Sequence, residues 1–148
     1  MATEFTSTAE VHAAPEAVWK VLATPTRWPG WTDSIETVEL LDGVFEQGAR
    51  VRISQPRLRT AVWTVTEYHP GRGFTWKSST PGVVTTGEHE VLPAGEHARL
   101  RVAVRHTGPA AGLAGLLFGS RTRRYLTMEA EGLRAAAEQR SQADSATT

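Results

Sequence analysis

Cysteine is absent from this 148-residue chain, and with it go disulfides, thiolate catalysis and sulfur-ligated metal sites. Asparagine is also absent, lysine occurs only as Lys20 and Lys77, and isoleucine only as Ile35 and Ile53, while arginine and alanine are plentiful. The scarce residues have AT-rich codons, which points to a GC-rich bacterial genome. No charge of one sign dominates. Sixteen basic residues face sixteen acidic ones, so the broad positive field that would draw in nucleic acid or an anionic membrane is missing. The longest apolar run, Pro109–Gly119, is too short to cross a bilayer, and Met1–Thr8 has neither the charged nor the apolar region of a signal peptide. The expectation is a cytoplasmic protein with no nucleic-acid partner and no membrane insertion. Site motifs are scarce as well. No His-Glu-x-x-His or similar paired spacing occurs, no serine sits in a Gly-x-Ser-x-Gly elbow, and Gly112–Gly119 lacks the Lys-Ser/Thr of a phosphate loop. No metal and no cofactor are expected.

What is present is a globular balance, 40% apolar and 22% charged residues, in a length suited to one domain. Phe5, Ser7, Ala9 and Val11 alternate with polar neighbours, the period of a half-buried strand. Pro15 then opens a short helix with Val18, Val21 and Leu22 at helical spacing, ending before Pro25. A second helical turn broken at Pro29 is expected over Pro25–Asp33. Six strands follow: Ser34–Leu41, Gly48–Ser54, Thr60–Tyr68, Gly73–Ser79, Val83–Leu92 and His97–Thr107, punctuated by Asp42-Gly43, Pro56, Pro70-Gly71, Pro81-Gly82 and Pro93-Ala94-Gly95. After Gly108-Pro109, Leu126, Ala130, Leu133 and Ala137 mark a long helix to about Arg140. Gly112, Gly115 and Gly119 in its first half suit a close approach to the sheet or a mobile entrance. The domain is placed at 1–140, with a disordered polar tail at 141–148.

This order, with Ala14-Pro15-Glu16-Ala17-Val18-Trp19, Arg27-Trp28-Pro29-x-Trp31 and Val65-Thr66-Glu67…Pro70-Gly71-Arg72-x-Phe74-x-Trp76, resembles the SRPBCC (START/pollen-allergen) superfamily, in particular its polyketide cyclase/dehydrase-like branch. The resemblance covers residues about 4 to 140. It implies an α+β helix-grip fold: a seven-stranded curved antiparallel sheet in the order β-αα-β6-α, closed by the C-terminal helix over an apolar cavity. That branch resembles enzymes, lipid carriers and stress proteins alike, so it transfers no catalytic signature.

Strand parity says which side chains face such a cavity. Val51 and Ile53 point in, then Ala61, Trp63 and Val65, then Phe74, Trp76 and Ser78, and finally Ala98, Leu100, Val102 and Val104 with His106. For Val83–Leu92 the register is ambiguous, and the one that brings in His89 also brings in Thr85 and Gly87. The ligand-binding set is Trp28, Trp31, Val51, Ile53, Trp63, Phe74, Trp76, Val102 and Val104. The resemblance puts Trp28, Trp31, Trp63 and Trp76 at the pocket wall and mouth, where they either fill the core or stack on a flat ligand. Arg124, with Arg121 and Arg123, offers a planar fork to a carboxylate or phosphate at the mouth, or lies on a solvated helix face. His89 and His106 suit proton transfer near neutral pH, or are held structurally by a neighbour. Tyr68 and Glu67, at the end of their strand, stand in reserve; His12, His69 and His97 are expected in solvent.

Three functions remain open. The partner is a small hydrophobic molecule, polycyclic or polyketide-like, which the protein cyclises or dehydrates by orienting it and moving a proton; a carrier holds the same molecule without turnover. The third is a protein-interaction domain, weakened by the zero net charge. A monomer or a homodimer fits each.

Overall fold

The computed structural model describes residues 3–146. Strand β1 (Thr3–Val11) buries Phe5, Ala9 and Val11 and exposes Glu4, Thr6, Thr8 and Glu10, as its alternation requires. Helix α1 (Pro15–Leu22) has proline in its first turn, where a missing N–H costs nothing, and buries Val18 and Leu22. A 3-10 helix, Pro25–Gly30, follows. The expected break at Pro29 is corrected, for Pro29 lies inside this helix. The N–H groups of Trp31 and Thr32 both bond to the Trp28 carbonyl, so the chain closes around the proline.

Strands β2 (Thr37–Leu40), β3 (Arg50–Ser54), β4 (Ala61–His69), β5 (Gly73–Thr80), β6 (Val83–Ala94) and β7 (His97–Thr107) form a meander. With β1 they make one curved seven-stranded antiparallel sheet in the order β1-β7-β6-β5-β4-β3-β2. The two short helices therefore carry the chain from one sheet edge to the other. Gly71 and Gly82 take φ of 81° and 80° in their Pro-Gly turns, a conformation that residues with a Cβ avoid. A bulge between Val65 and Glu67 interrupts the β4–β5 ladder. It inverts parity, so that Val65 lies opposite Trp76 while Tyr68 lies opposite Phe74.

Helix α2 (Ala111–Ala146) lies across β1 and β7 and reaches β6 and α1. Leu126, Ala130, Leu133 and Ala137 are its buried stripe. Gly115 and Gly119 serve close approach: an added Cβ would stand 2.9 Å from Thr3 and 3.2 Å from Phe5. The helix continues past Arg140 to Ala146, because Ser141–Ala146 contains no glycine or proline to stop it. The expected disordered tail is thus helical as far as Ala146, and Thr147 and Thr148 lie outside the described residues.

A candidate ligand cavity

Between the sheet and α2 lies a cavity of about 340 Å³, at the small end for a ligand site. Trp28, Ile53, Trp63, Trp76, Val104 and Phe118 supply its apolar walls. The Trp76 ring centroid is 5.6 Å from that of Trp28 and 5.7 Å from that of Trp63. Gly87, opposite Trp76 in the β5–β6 ladder, makes this possible. A Cβ there would come within 2.7 Å of the Trp76 indole nitrogen, so only glycine lets the indole lie across β6.

Two polar pairs interrupt the apolar wall. His89 Nε2 is 3.0 Å from Glu129 Oε1, with side chains 5% and 12% exposed. A carboxylate only accepts, so the hydrogen between them sits on His89 Nε2, and Nδ1 is buried without a partner. Phe74 stacks on the imidazole at 4.3 Å, fixing its plane. At the other pair, His106 Nδ1 is 3.0 Å from Thr85 Oγ1, and Nε2 has no partner. Burial pushes the His106 pKa down, so this ring is neutral at physiological pH.

The structure thus brings Trp28, Ile53, Trp63, Trp76, Val104, His89 and His106 to one cavity. The register of β6 is the one that turns Thr85, Gly87 and His89 inward. Other candidates lie elsewhere. Val51, Phe74 and Val102 are buried in the core but do not border the space; they lie beside residues that do, Val51 opposite Trp63 and both Phe74 and Val102 opposite His89. Trp31, the residue that follows the 3-10 helix, lines a separate, open groove with Arg27 and Arg140. Arg124 is exposed on the outer face of α2, while Arg123 sits 5.0 Å over the Phe5 ring. The bulge leaves Glu67 exposed and turns Tyr68 against Trp19 and Phe45, at 5.6 and 5.7 Å, away from the cavity. Burial and the nearby Glu46 raise the Tyr68 pKa, so its phenol stays protonated.

Sequence reasoning missed Glu129. Its signal was present: it falls three residues after Leu126 and four before Leu133, a carboxylate beside the apolar stripe of an amphipathic helix. Gln55, Thr122 and Tyr125 also line the cavity. The Tyr125 hydroxyl donates to the Pro56 carbonyl and ties α2 to the loop between β3 and β4.

The family model described as polyketide cyclase/dehydrase and lipid transport matches residues 2–138. No curated protein is similar enough in sequence to match. Several crystal structures share the fold. Ara h 8.0201 aligns at TM-score 0.67 and 12% identity, covering 97% of this chain and 99% of that one. The di-domain ARO/CYC StfQ from the steffimycin biosynthetic pathway aligns at 0.72 and 16%, covering 99% of this chain but 52% of that one. TTHA0849 from Thermus thermophilus aligns at 0.68 and 18%, covering 97% and 99%.

Proposed function

The chain belongs to the polyketide cyclase/dehydrase and lipid transport family, and from that premise we propose that its cavity takes up a small, flat, largely hydrophobic, polyketide-like molecule and cyclises or dehydrates it. The observation that carries this is the 3.0 Å hydrogen bond between His89 and Glu129 on the wall of a largely apolar cavity. Burying such a pair is a poor way to stabilise a fold, since desolvation offsets most of the attraction. Facing a cavity, it is an acid–base device. Glu129 is the base and His89, donating Nε2–H and stacked on Phe74, is a positioning residue that holds the carboxylate in place.

In an aldol closure, Glu129 removes a proton from the carbon next to one carbonyl. That carbon then bonds to a second carbonyl carbon, and the proton returns to the oxygen left behind. In dehydration the proton Glu129 has taken leaves with the departing hydroxyl as water. The indoles of Trp28, Trp63 and Trp76 hold the reacting carbons in place, and orientation of that kind supplies roughly 7–11 kcal/mol of a barrier. A carrier that holds the same molecule without turnover is the second reading, favoured by the lipid-transport part of the family description.

The test begins with mass spectrometry of apolar metabolites retained by the protein when it is made in its native host. On the retained compound, Glu129→Gln is expected to lower turnover about 10²–10⁴-fold, the usual worth of a general base, with affinity nearly unchanged. A wild-type protein that releases its ligand chemically unaltered establishes the carrier instead.

A further inference from the structure

We propose that Thr85, oriented by His106, donates a hydrogen bond to a carbonyl of the ligand, so that the cavity selects a neutral carbonyl compound over the hydrocarbon of the same shape. This rests on the reading of the cavity as a site for a small hydrophobic molecule and adds the polar group that such a molecule must carry.

The tautomer of His106 decides the matter. Its Nδ1 meets Thr85 Oγ1 at 3.0 Å, and its Nε2 is buried with no partner. If Thr85 donated to Nδ1, the ring proton would sit on Nε2 as a buried N–H with no acceptor. Orphaned N–H groups are rarer in folded proteins than under-used acceptors. With the proton on Nδ1, the unpartnered atom is only a lone pair. A charged ring would restore the orphaned N–H, and burial disfavours it as well. The favoured arrangement therefore has His106 Nδ1–H donating to Thr85.

Thr85 Oγ1 then accepts from the ring and keeps its own O–H free. Among the described residues that hydroxyl has no other partner, and Thr85 is half-buried on the cavity wall. An O–H fixed in direction by the ring beneath it is suited to an acceptor such as a ketone, quinone or ester carbonyl. The Glu129 carboxylate and the Arg59 guanidinium both border the same space, so their charges offset and a neutral ligand fits.

The register adds a length. Thr85 and His89 lie on the same face of β6, four residues apart, with Gly87 and the Trp76 ring between them. Strand rise puts them on the order of 13 Å apart. The ligand accordingly carries its carbonyl at one end, the proton to be removed toward the other, and an apolar middle over Trp76.

Acetylnaphthalene and its hydrocarbon isostere isopropenylnaphthalene test this, with binding followed by tryptophan fluorescence and the bound carbonyl stretch by infrared spectroscopy. Wild type is expected to prefer the ketone by about five- to tenfold, the worth of one hydrogen bond, and to lower its carbonyl frequency relative to an apolar solvent. Thr85→Val removes both effects, Thr85→Ser keeps both, and His106→Leu weakens the preference and broadens the carbonyl band. Arg124→Gln, on the exposed face of α2 and outside the cavity lining, leaves the preference unchanged. A preference that survives Thr85→Val, or an unshifted carbonyl in wild type, overturns the proposal while leaving the cavity reading intact. If neither probe binds wild type, the cavity reading falls and this inference falls with it.

Discussion

A buried imidazole that is neutral in the native state makes folding depend on pH in a definite direction. His106 has its pKa lowered by burial, whereas in the unfolded chain it titrates near ~6.5. As pH falls through that range, the unfolded chain takes up a proton that the native protein does not. Stability therefore declines until pH drops below the native pKa, and above the unfolded pKa the group contributes no slope. Urea midpoints at pH 7.5 and 5.5 are expected to differ more for wild type than for His106→Leu. Equal differences would show that His106 titrates alike in both states. The inward placement of His106 follows from simple alternation with Val102 and Val104, and so was legible in the sequence. Its partner was not, because the pattern of Val83–Leu92 leaves open which of its residues turn inward.

Among the elements, α2 holds the sharpest contest between local preference and tertiary fit. Glycine inside a helix costs about 1 kcal/mol against alanine, so each glycine of α2 needs a reason. At Gly132 a Cβ would run into the Trp31 main-chain carbonyl, which cannot yield without moving the 3-10 helix. At Gly115 the obstacle is only the side chain of Thr3, 2.9 Å away at the start of a strand. Gly132→Ala is therefore expected to destabilise by about 1–3 kcal/mol despite its better propensity, lowering the thermal midpoint by several degrees, while Gly115→Ala stays close to wild type. The opposite order in a thermal melt would mean that propensity governs both sites. The strands were legible because Pro-Gly turns and period-2 alternation are local. The β4 bulge was not, since Thr66 has nothing in its neighbours to show that it drops out of pairing, and the roles expected of Glu67 and Tyr68 went with it.

For the molecule as a whole, the layout could be read from element order, and the inward faces of the strands from parity, but the pairing of His89 with Glu129 could not. His89 and Glu129 are 40 positions apart in the chain, and they meet only because α2 crosses the sheet at a particular height, which no local pattern encodes. The row of tryptophans that leads to the cavity was likewise visible as residues and not as an arrangement. Trp31, Trp28, Trp76 and Trp63 run in sequence with centroids 5.7, 5.6 and 5.7 Å apart and planes tilted by 50°, 58° and 37°. Chromophores so close and so tilted do not absorb as separate units; their electronic transitions mix, and the mixed states rotate polarised light with opposite signs. The protein is expected to show a split far-ultraviolet circular dichroism couplet that Trp63→Phe diminishes and that Trp19→Phe, altering a ring set against Tyr68 instead, leaves in place. Because Trp63 ends the chain at the cavity wall, an arriving ligand should change the couplet before any strand or helix moves, giving the protein a built-in optical signal of occupancy.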